Sequence, residues 1–353
     1  MKLTKHRVII LIGLIIFLFL VSLGKDAKSP PAQLPILPET LKEKHVLTYF
    51  YFWYDLPDGV HSTALGDYPA DENTSYKNLA WFKKQLADME EAGVDILLAV
   101  YWSEFEPSSV IGLGNLVEAR EQLLREGKKP PAIALFLDTG IFDRLPRGEK
   151  NFTKEEGKQR FYGFIKEFYE IIPPHHWSRI EEKPVISMWG AWFGIRFDQS
   201  TFDYIQENFE KDFGTKPYII REASWNYAVK PKLFGQETDF SQPIFTNDIY
   251  KWGAALYGYE DIGGNVAAVG PGYDERHLTE RNRSLFTDRG RGKWYEDNFK
   301  KAIQSGKPFI ALETWNEFHE ASDIAESEEY GRTYIELTRR YVDHFKAQTA
   351  LED

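Results

Sequence analysis

The chain has 353 residues, 42% hydrophobic and 27% charged, which is enough apolar material for a full core and a length that suits two average domains or one large barrel. A formal charge of −11 argues against a nucleic-acid partner or an anionic membrane surface as the main ligand, and favours a neutral or cationic one. The absence of cysteine excludes disulfides, thiolate nucleophiles and cysteine-ligated metal centres.

In chain order, the first segment is a leader. Lys2, Lys5 and Arg7 precede an unbroken apolar run over 8–23 (VIILIGLIIFLFLVSL), the charged and apolar regions of a secretory signal. At 16 residues the run is short for a bilayer-spanning helix, which needs about 17–25. Residues 1–24 are therefore expected to be a signal peptide or an N-terminal membrane anchor, leaving the rest secreted or held at the outer face of the membrane. Residues 25–43 carry four prolines and no periodicity, as an extended linker would. A single folded domain is expected over 44–353.

Within that domain, eight short apolar runs alternate with helical patterns. The runs are 45–53, 94–102, 131–138, 183–190, 216–223, 242–249, 265–270 and 307–315, apolar throughout instead of alternating, as parallel strands covered by helices should be. Helical spacing marks 76–92, 110–127, 153–172, 200–213, 292–305 and 330–347, several ending at a glycine that can take the left-handed cap. The crossovers after the fifth and sixth strands have no clear pattern. Eight strand–helix units predict an α/β fold, a (β/α)8 TIM barrel in one catalytic domain. The alternative, a doubly wound open sheet, lacks a Gly-x-Gly-x-x-Gly turn after the first strand.

In such a barrel the chemistry sits at the C-terminal ends of the strands, and every end here carries an acid or an indole. The rim candidates are Trp53, Tyr54, His61, Trp102, Glu104, Asp138, Trp189, Glu222, Trp252, Tyr273, Asp274, Trp315, Asn316 and His319. Singly, an acid at a strand end caps the next helix and a tryptophan packs; jointly, carboxylates with aromatic faces suit sugar binding and glycoside cleavage. Metal hydrolysis lacks its histidine motifs, with His175-His176 reading as a solvated loop, and a serine hydrolase would need a Gly-x-Ser-x-Gly elbow. Glu317 and Glu320, three apart, can work as a pair only if the eighth strand breaks near Asn316, because a strand would point them to opposite faces and a turn brings them to one side. Otherwise they are the acidic first turn of a helix.

At these residues a resemblance appears. Asn316-Glu317-Phe318-His319-Glu320 resembles the N-E-W-H-E stretch of glycoside hydrolase family 99, the endo-α-mannosidases and endo-α-mannanases, and of the related WbsX-like proteins, with Phe318 in place of tryptophan. Tyr49-Phe50-Tyr51-Phe52-Trp53-Tyr54 is similar to their Y-Y-P-W-Y opening, Pro271-Gly272-Tyr273-Asp274 to a P-G-[YF]-D segment, and Thr314-Trp315-Asn316 echoes the family 71 α-1,3-glucanases. The resemblance implies a bacterial branch of this superfamily: an endo-acting hydrolase of a poly- or oligosaccharide, an α-mannoside or α-glucan. It implies that Glu317 deprotonates the sugar 2-hydroxyl, that Glu320 is the acid/base, and that Tyr54 and His61 touch substrate. A monomer with a carbohydrate substrate is expected; the negative charge speaks against a nucleic-acid partner, the missing histidine motifs against a metal, and carboxylates can do both protonation and attack, so no cofactor is required. Ala321 replaces the glycine that follows the second glutamate, and 322–326 follow T-Q-I-E-P only loosely, so the likeness does not carry an α-mannan substrate. A non-catalytic carbohydrate-binding or polysaccharide-assembly protein on the same barrel is the alternative.

Overall fold

The computed structural model describes residues 43–347 apart from 233, 234 and 283, so the leader over 1–24 and all but the last residue of the linker lie outside the described residues. Eight parallel strands form the barrel: β1 His45–Phe50, β2 Ile96–Val100, β3 Ala132–Leu137, β4 Lys183–Met188, β5 Tyr218–Glu222, β6 Asp248–Tyr250, β7 Val266–Val269 and β8 Phe309–Leu312. They are hydrogen-bonded in the order β7-β8-β1-β2-β3-β4-β5-β6. Between β6 and β7 the Asp248 carboxylate bridges the gap, accepting from Asn265 N–H at 2.8 Å. The expected (β/α)8 barrel is borne out; seven of the apolar runs contain one barrel strand each, while the sixth, 242–249, begins in the hairpin strand Gly235–Pro243 and covers only Asp248 and Ile249 of β6.

Helices α1 Leu79–Ala92, α2 Pro107–Arg125, α3 Glu155–Ile171 and α4 Gln199–Phe213 follow the first four strands, the four-residue α5 Ala254–Tyr257 follows β6, and α6 Lys293–Gln304 and α7 Thr333–Ala347 flank β8. After β5 the chain makes an antiparallel hairpin, Tyr227–Lys232 with Gly235–Pro243, in place of a helix. None of the helices among the described residues is long and apolar enough to cross a membrane.

Alternate residues of each strand face inward, which fills the barrel with rings instead of leaving a pore. Tyr49 packs edge-on against Phe136 at 4.7 Å and Trp252 at 5.0 Å, and Trp252 stacks over Phe136 at 5.9 Å and 15°. The outward set, such as Phe50, meets α1 through Trp81 and Phe82. The inner layer is thus the floor of whatever cleft opens at the strand C-termini.

Candidate active site

The loop after β8 is held as one closed unit. β8 ends at Leu312, four residues before Asn316, so the expected strand end is corrected. The side chain of Glu313 turns to accept from Gly253 and Ala254 N–H at 2.9 and 2.6 Å, which anchors α5, while its own N–H donates to Val269 O and Trp315 N–H to Tyr49 O. Thr314 N–H donates to Ser322 O at 3.0 Å, and Trp315 O accepts from Ile324 and Ala325 N–H, so 313–325 folds back on itself. Asn316 supplies a substitute rung: Tyr51 N–H donates to its Oδ1 at 2.8 Å and its Nδ2 donates to Tyr51 O at 2.5 Å. Glu317 N–H is caught by Thr314 Oγ1, and Phe318–Glu320 form a single 3-10 turn closed by Ala321 at φ 44°.

That turn brings Glu317 and Glu320 to one side. Glu317 is nearly buried and accepts from His319 N–H at 3.2 Å, lies 3.1 Å from His319 Nδ1, and is reached by Tyr54 O–H at 3.5 Å. Glu320 is more open, its side chain 20% exposed, and its Oε1 pairs with Arg281 at 2.5 Å. Arg281 also pairs with the fully buried Glu275 at 2.9 Å and donates to Tyr273 Oη at 3.1 Å. The charges of both glutamates act on the same two buried groups, Asp138 at the end of β3 and Tyr51 just beyond β1. Both carboxylates sit on the turn just past the end of β8, Glu317 against His319 and Tyr54 and Glu320 against Arg281.

Asp138 is a third acid facing the pair. Burial pushes its carboxyl up to about 6, Gly140 N–H and Trp102 Nε1–H pull it down, and Glu317 and Glu320 push it further up. It can hold a proton near neutrality.

The rim candidates fall into two aromatic walls. On one side His319 stacks on Tyr54 at 5.5 Å, His61 lies edge-on to His319 at 5.6 Å and stacks on Trp53 at 5.3 Å, and Trp53 meets Trp102, whose indole donates to Asp138 at 3.0 Å. Burial and the neighbouring His319 lower His61 to about 4, so at neutral pH it is an uncharged hydrogen-bonding ring. On the other side Trp189 packs against Trp252 at 6.1 Å, and Glu222 accepts from Ser224 and from the Trp252 backbone. The indole N–H groups of Trp53 and Trp189 are buried without a partner, two donors aimed at no protein acceptor. Tyr273 joins the mouth through Arg281, Asp274 is occupied by a two-point pair with Arg276, and Glu104 sits on the outer lip, 74% exposed.

Two candidates move to a structural role. Trp315 is fully buried, with its Nε1 donating to Gln85 of α1 at 2.7 Å, so it packs behind the barrel wall and cannot touch a sugar. Asn316 is equally buried and spends its amide on Tyr51. Replacing Trp315 by Phe is expected to lower stability by about 1–2 kcal/mol through the orphaned Gln85 carbonyl and lost packing, with KM unchanged. Thermal unfolding and steady-state kinetics check this; a raised KM with unchanged stability would restore the binding role. Arg281 belongs to the mouth but carries no signal of its own in the sequence, although it follows the Pro-Gly-Tyr-Asp segment within ten residues.

The one group among the described residues with metal-ligand spacing is Glu121, His175 and His176, on the outside of the barrel. Arg120 Nη1 donates to His176 Nδ1 at 2.7 Å, which places the proton of the neutral ring on Nε2, the nitrogen a metal would need. The geometry suits a hydrogen bond to Glu121 and opposes a metal.

Several buried groups make stability depend on pH. Burial raises Asp67 and Glu313 to about 8 and lowers His176 to about 4, whereas His61, lowered to about 4 by its packed surroundings and His319, is exposed at the rim and adds little to stability. The carboxyls stay protonated in the folded state where the unfolded chain would release them, so their contribution is lost as pH rises toward 8; His176 opposes this only below its unfolded value of 6.5. Between pH 6.5 and 8.5 the carboxyls act alone, and Tm is expected to fall by a few degrees, about 3 kcal/mol. Calorimetry across that range tests it, and a rising Tm would show the buried carboxyls to be ionised.

A (β/α)8 barrel with acids and tryptophans at the C-terminal ends of its strands is the class of fold and site that the chain presents. The chain belongs to the family described as Domain of unknown function (DUF5010), whose model matches residues 52–353. Among solved structures it is similar to the GH99 endo-α-mannosidase from Bacteroides thetaiotaomicron, with a TM-score of 0.61 and 15% identity over 87% of this chain and 99% of that one. A second structure, described as a glycoside hydrolase-like protein, gives a TM-score of 0.61 and 14% identity over 88% and 96% of the two chains. The resemblance read from the C-terminal motif is thus borne out at the level of the fold. Among curated proteins, mouse and human glycoprotein endo-alpha-1,2-mannosidase-like proteins are each 27% identical over 94 residues, 23% of this chain and 21% of theirs. The match spans about a fifth of those relatives.

Proposed function

We propose that the protein is an endo-acting glycoside hydrolase that cleaves a poly- or oligosaccharide, an α-mannoside or α-glucan, with Glu317 and Glu320 as the catalytic pair. The observation that supports this reading is that one closed turn just past the C-terminal end of β8 carries both glutamates, Glu317 paired with His319 and Glu320 with Arg281. In the first step Glu317 takes the proton of the sugar 2-hydroxyl, O2 attacks C1, and the leaving oxygen departs with a proton from Glu320. In the second, water attacks C1, gives its proton to Glu320, and O2 recovers its proton from Glu317. The closed, partly buried setting of Glu317 suits a base that works by contact, while the more open Glu320 can exchange protons with water. The walls of Trp53, Trp102, Trp189 and Trp252 cover apolar sugar faces, and Asp138, Glu222, Tyr54, His61 and His319 supply hydrogen bonds. Tyr273, Asp274 and Glu104 line the outer approach. The apolar leader accords with an enzyme exported or anchored outside the cell and acting as a monomer.

Screening the purified protein against α- and β-linked glycans, with Glu317→Gln and Glu320→Gln as controls, tests the proposal. Release of internal fragments from one α-linked glycan, lost in both variants, is the expected result. Hydrolysis that survives both substitutions would overturn it.

A further inference from the structure

Behind the catalytic turn, on the side away from the cleft, lies a buried charge cluster that the proposed chemistry does not use. Arg289, which follows the short strand pair Tyr273–Asp274 and Phe286–Thr287, is 5% exposed and reaches into the closed loop. Its Nη1 donates to Asp323 O at 2.8 Å, and its Nη2 to Ala321 O at 3.0 Å, Asp323 Oδ1 at 2.9 Å and Asp67 Oδ2 at 2.7 Å. The guanidinium lies over the rings of Tyr330 and Tyr334 at 4.4 and 4.5 Å. One side chain therefore ties the loop after β1, the loop after β8 and the start of α7 together. Ala321 is the residue after Glu320, and Phe318 O accepts from Gly66 and Asp67 N–H, so the clamp grips the turn at both ends. The fit leaves no slack, since a Cβ on Gly272 would stand 2.5 Å from Arg289 Cγ.

We propose that Arg289 is the positioning residue of the Glu317–Glu320 turn, and that its grip depends on a single proton shared by the two buried carboxylates it serves, Asp67 and Asp323. The catalytic part of this inference rests on the function proposed above; the structural part does not. With one carboxylate protonated, the cluster of one guanidinium and two carboxyls is neutral, as a water-free site requires. Burial and the adjacent Asp323 push Asp67 up to about 8, and burial raises Asp323 as well, while Arg289 opposes both. The other charged or titratable groups that face the cluster are Tyr330 and Tyr334, Tyr295 of α6, Tyr54, Asp274 and Glu329, with His277 against Gly66. None of these supplies a second cation within the clamp. When the shared proton leaves above pH 8, two carboxylates face one guanidinium, and the hold on Ala321 O loosens. A pair that never meets substrate would then set the alkaline limit of the enzyme.

Hydrogen exchange on the full protein tests this without any substrate. Arg289→Met is expected to speed exchange in the 313–325 peptide at least tenfold and to leave the β3 peptide unchanged, with Arg289→Lys intermediate. In the wild type, exchange over 313–325 between pH 7 and 9 should accelerate beyond that of β3, and Asp67→Asn should remove the excess, because an asparagine amide mimics the protonated acid. On any glycan that is turned over, Arg289→Lys should lower kcat about tenfold with KM within threefold, and Asp67→Asn should move the alkaline limb upward. Unchanged exchange over 313–325 in Arg289→Met, or an excess that persists in Asp67→Asn, overturns the proposal. Should Arg289→Met fail to fold, the isosteric Asp67→Asn comparison decides. Failure of the wild type to cleave any glycan would sink the proposed function and leave the exchange results standing on their own.

Discussion

Glutamine at position 317 or 320 is expected to lower kcat by about 10²–10⁴, the range in which a positioned acid or base contributes, while leaving the fold intact. In Glu317→Gln the new amide keeps an acceptor oxygen for His319 N–H and Tyr54 O–H, and loss of the Glu320 ion pair leaves Arg281 still bound to Glu275, so Tm should move by little. The two variants should differ in how they can be rescued. A substrate whose leaving group departs without a proton, such as a glycosyl fluoride, bypasses the first duty of Glu320 and should recover most of the first step in Glu320→Gln. The same substrate still needs its 2-hydroxyl deprotonated, so Glu317→Gln should stay inactive. Pre-steady-state kinetics on paired fluoride and natural substrates measure the difference; equal rescue of both variants would show that the roles are wrongly divided.

The placing of those two glutamates on one turn could be argued from the sequence because the motif that carries them is local. The barrel was legible for a similar reason: each parallel strand is buried on both faces and so leaves a run such as Ile96–Val100 with no polar interruption. The hairpin over 227–243 was missed, although Tyr227 and Val229, followed by the alternate lysines Lys230 and Lys232 and a glycine at 235, hold the pattern of a two-stranded ribbon. The end of β8 could not be read locally, because the conformation past Leu312 depends on distant partners: the Glu313 side chain on the N–H groups of Gly253 and Ala254, about sixty residues away in sequence, and Trp315 N–H on Tyr49 O. The same limit separates two tryptophans with equal claims on the rim. Trp252 lies over the ring layer of the barrel and Trp315 turns outward to Gln85, and only the closed loop between Thr314 and Ser322 decides which. Arg281 and Arg289 sit in irregular segments, where no periodicity marks a residue as buried or paired.

Asn316→Leu is expected to cost about 2–4 kcal/mol and to abolish activity without touching a catalytic atom. The asparagine amide joins the residue after β1 to the loop after β8 beside the backbone bond from Trp315 N–H to Tyr49 O, and leucine would leave both Tyr51 N–H and Tyr51 C=O buried without the partner they now have. Sterically, aspartate would fit as well as asparagine does, which makes it the more informative change. Ionised, the introduced carboxylate could accept from Tyr51 N–H but would set an oxygen against Tyr51 O where Nδ2 of Asn316 now donates at 2.5 Å. Protonated, it could donate there again. Burial favours the protonated form, so Asn316→Asp should be nearly as stable as wild type at pH 5 and should lose most of that stability by pH 8, with activity falling in parallel. Denaturant unfolding at the two pH values reads this directly. A cost for Asn316→Leu below about 0.5 kcal/mol, or an Asn316→Asp variant indifferent to pH, would mean that Glu317 is held in the cleft by the fold of its own loop, through Thr314 and Ser322, and not by the bond across to β1.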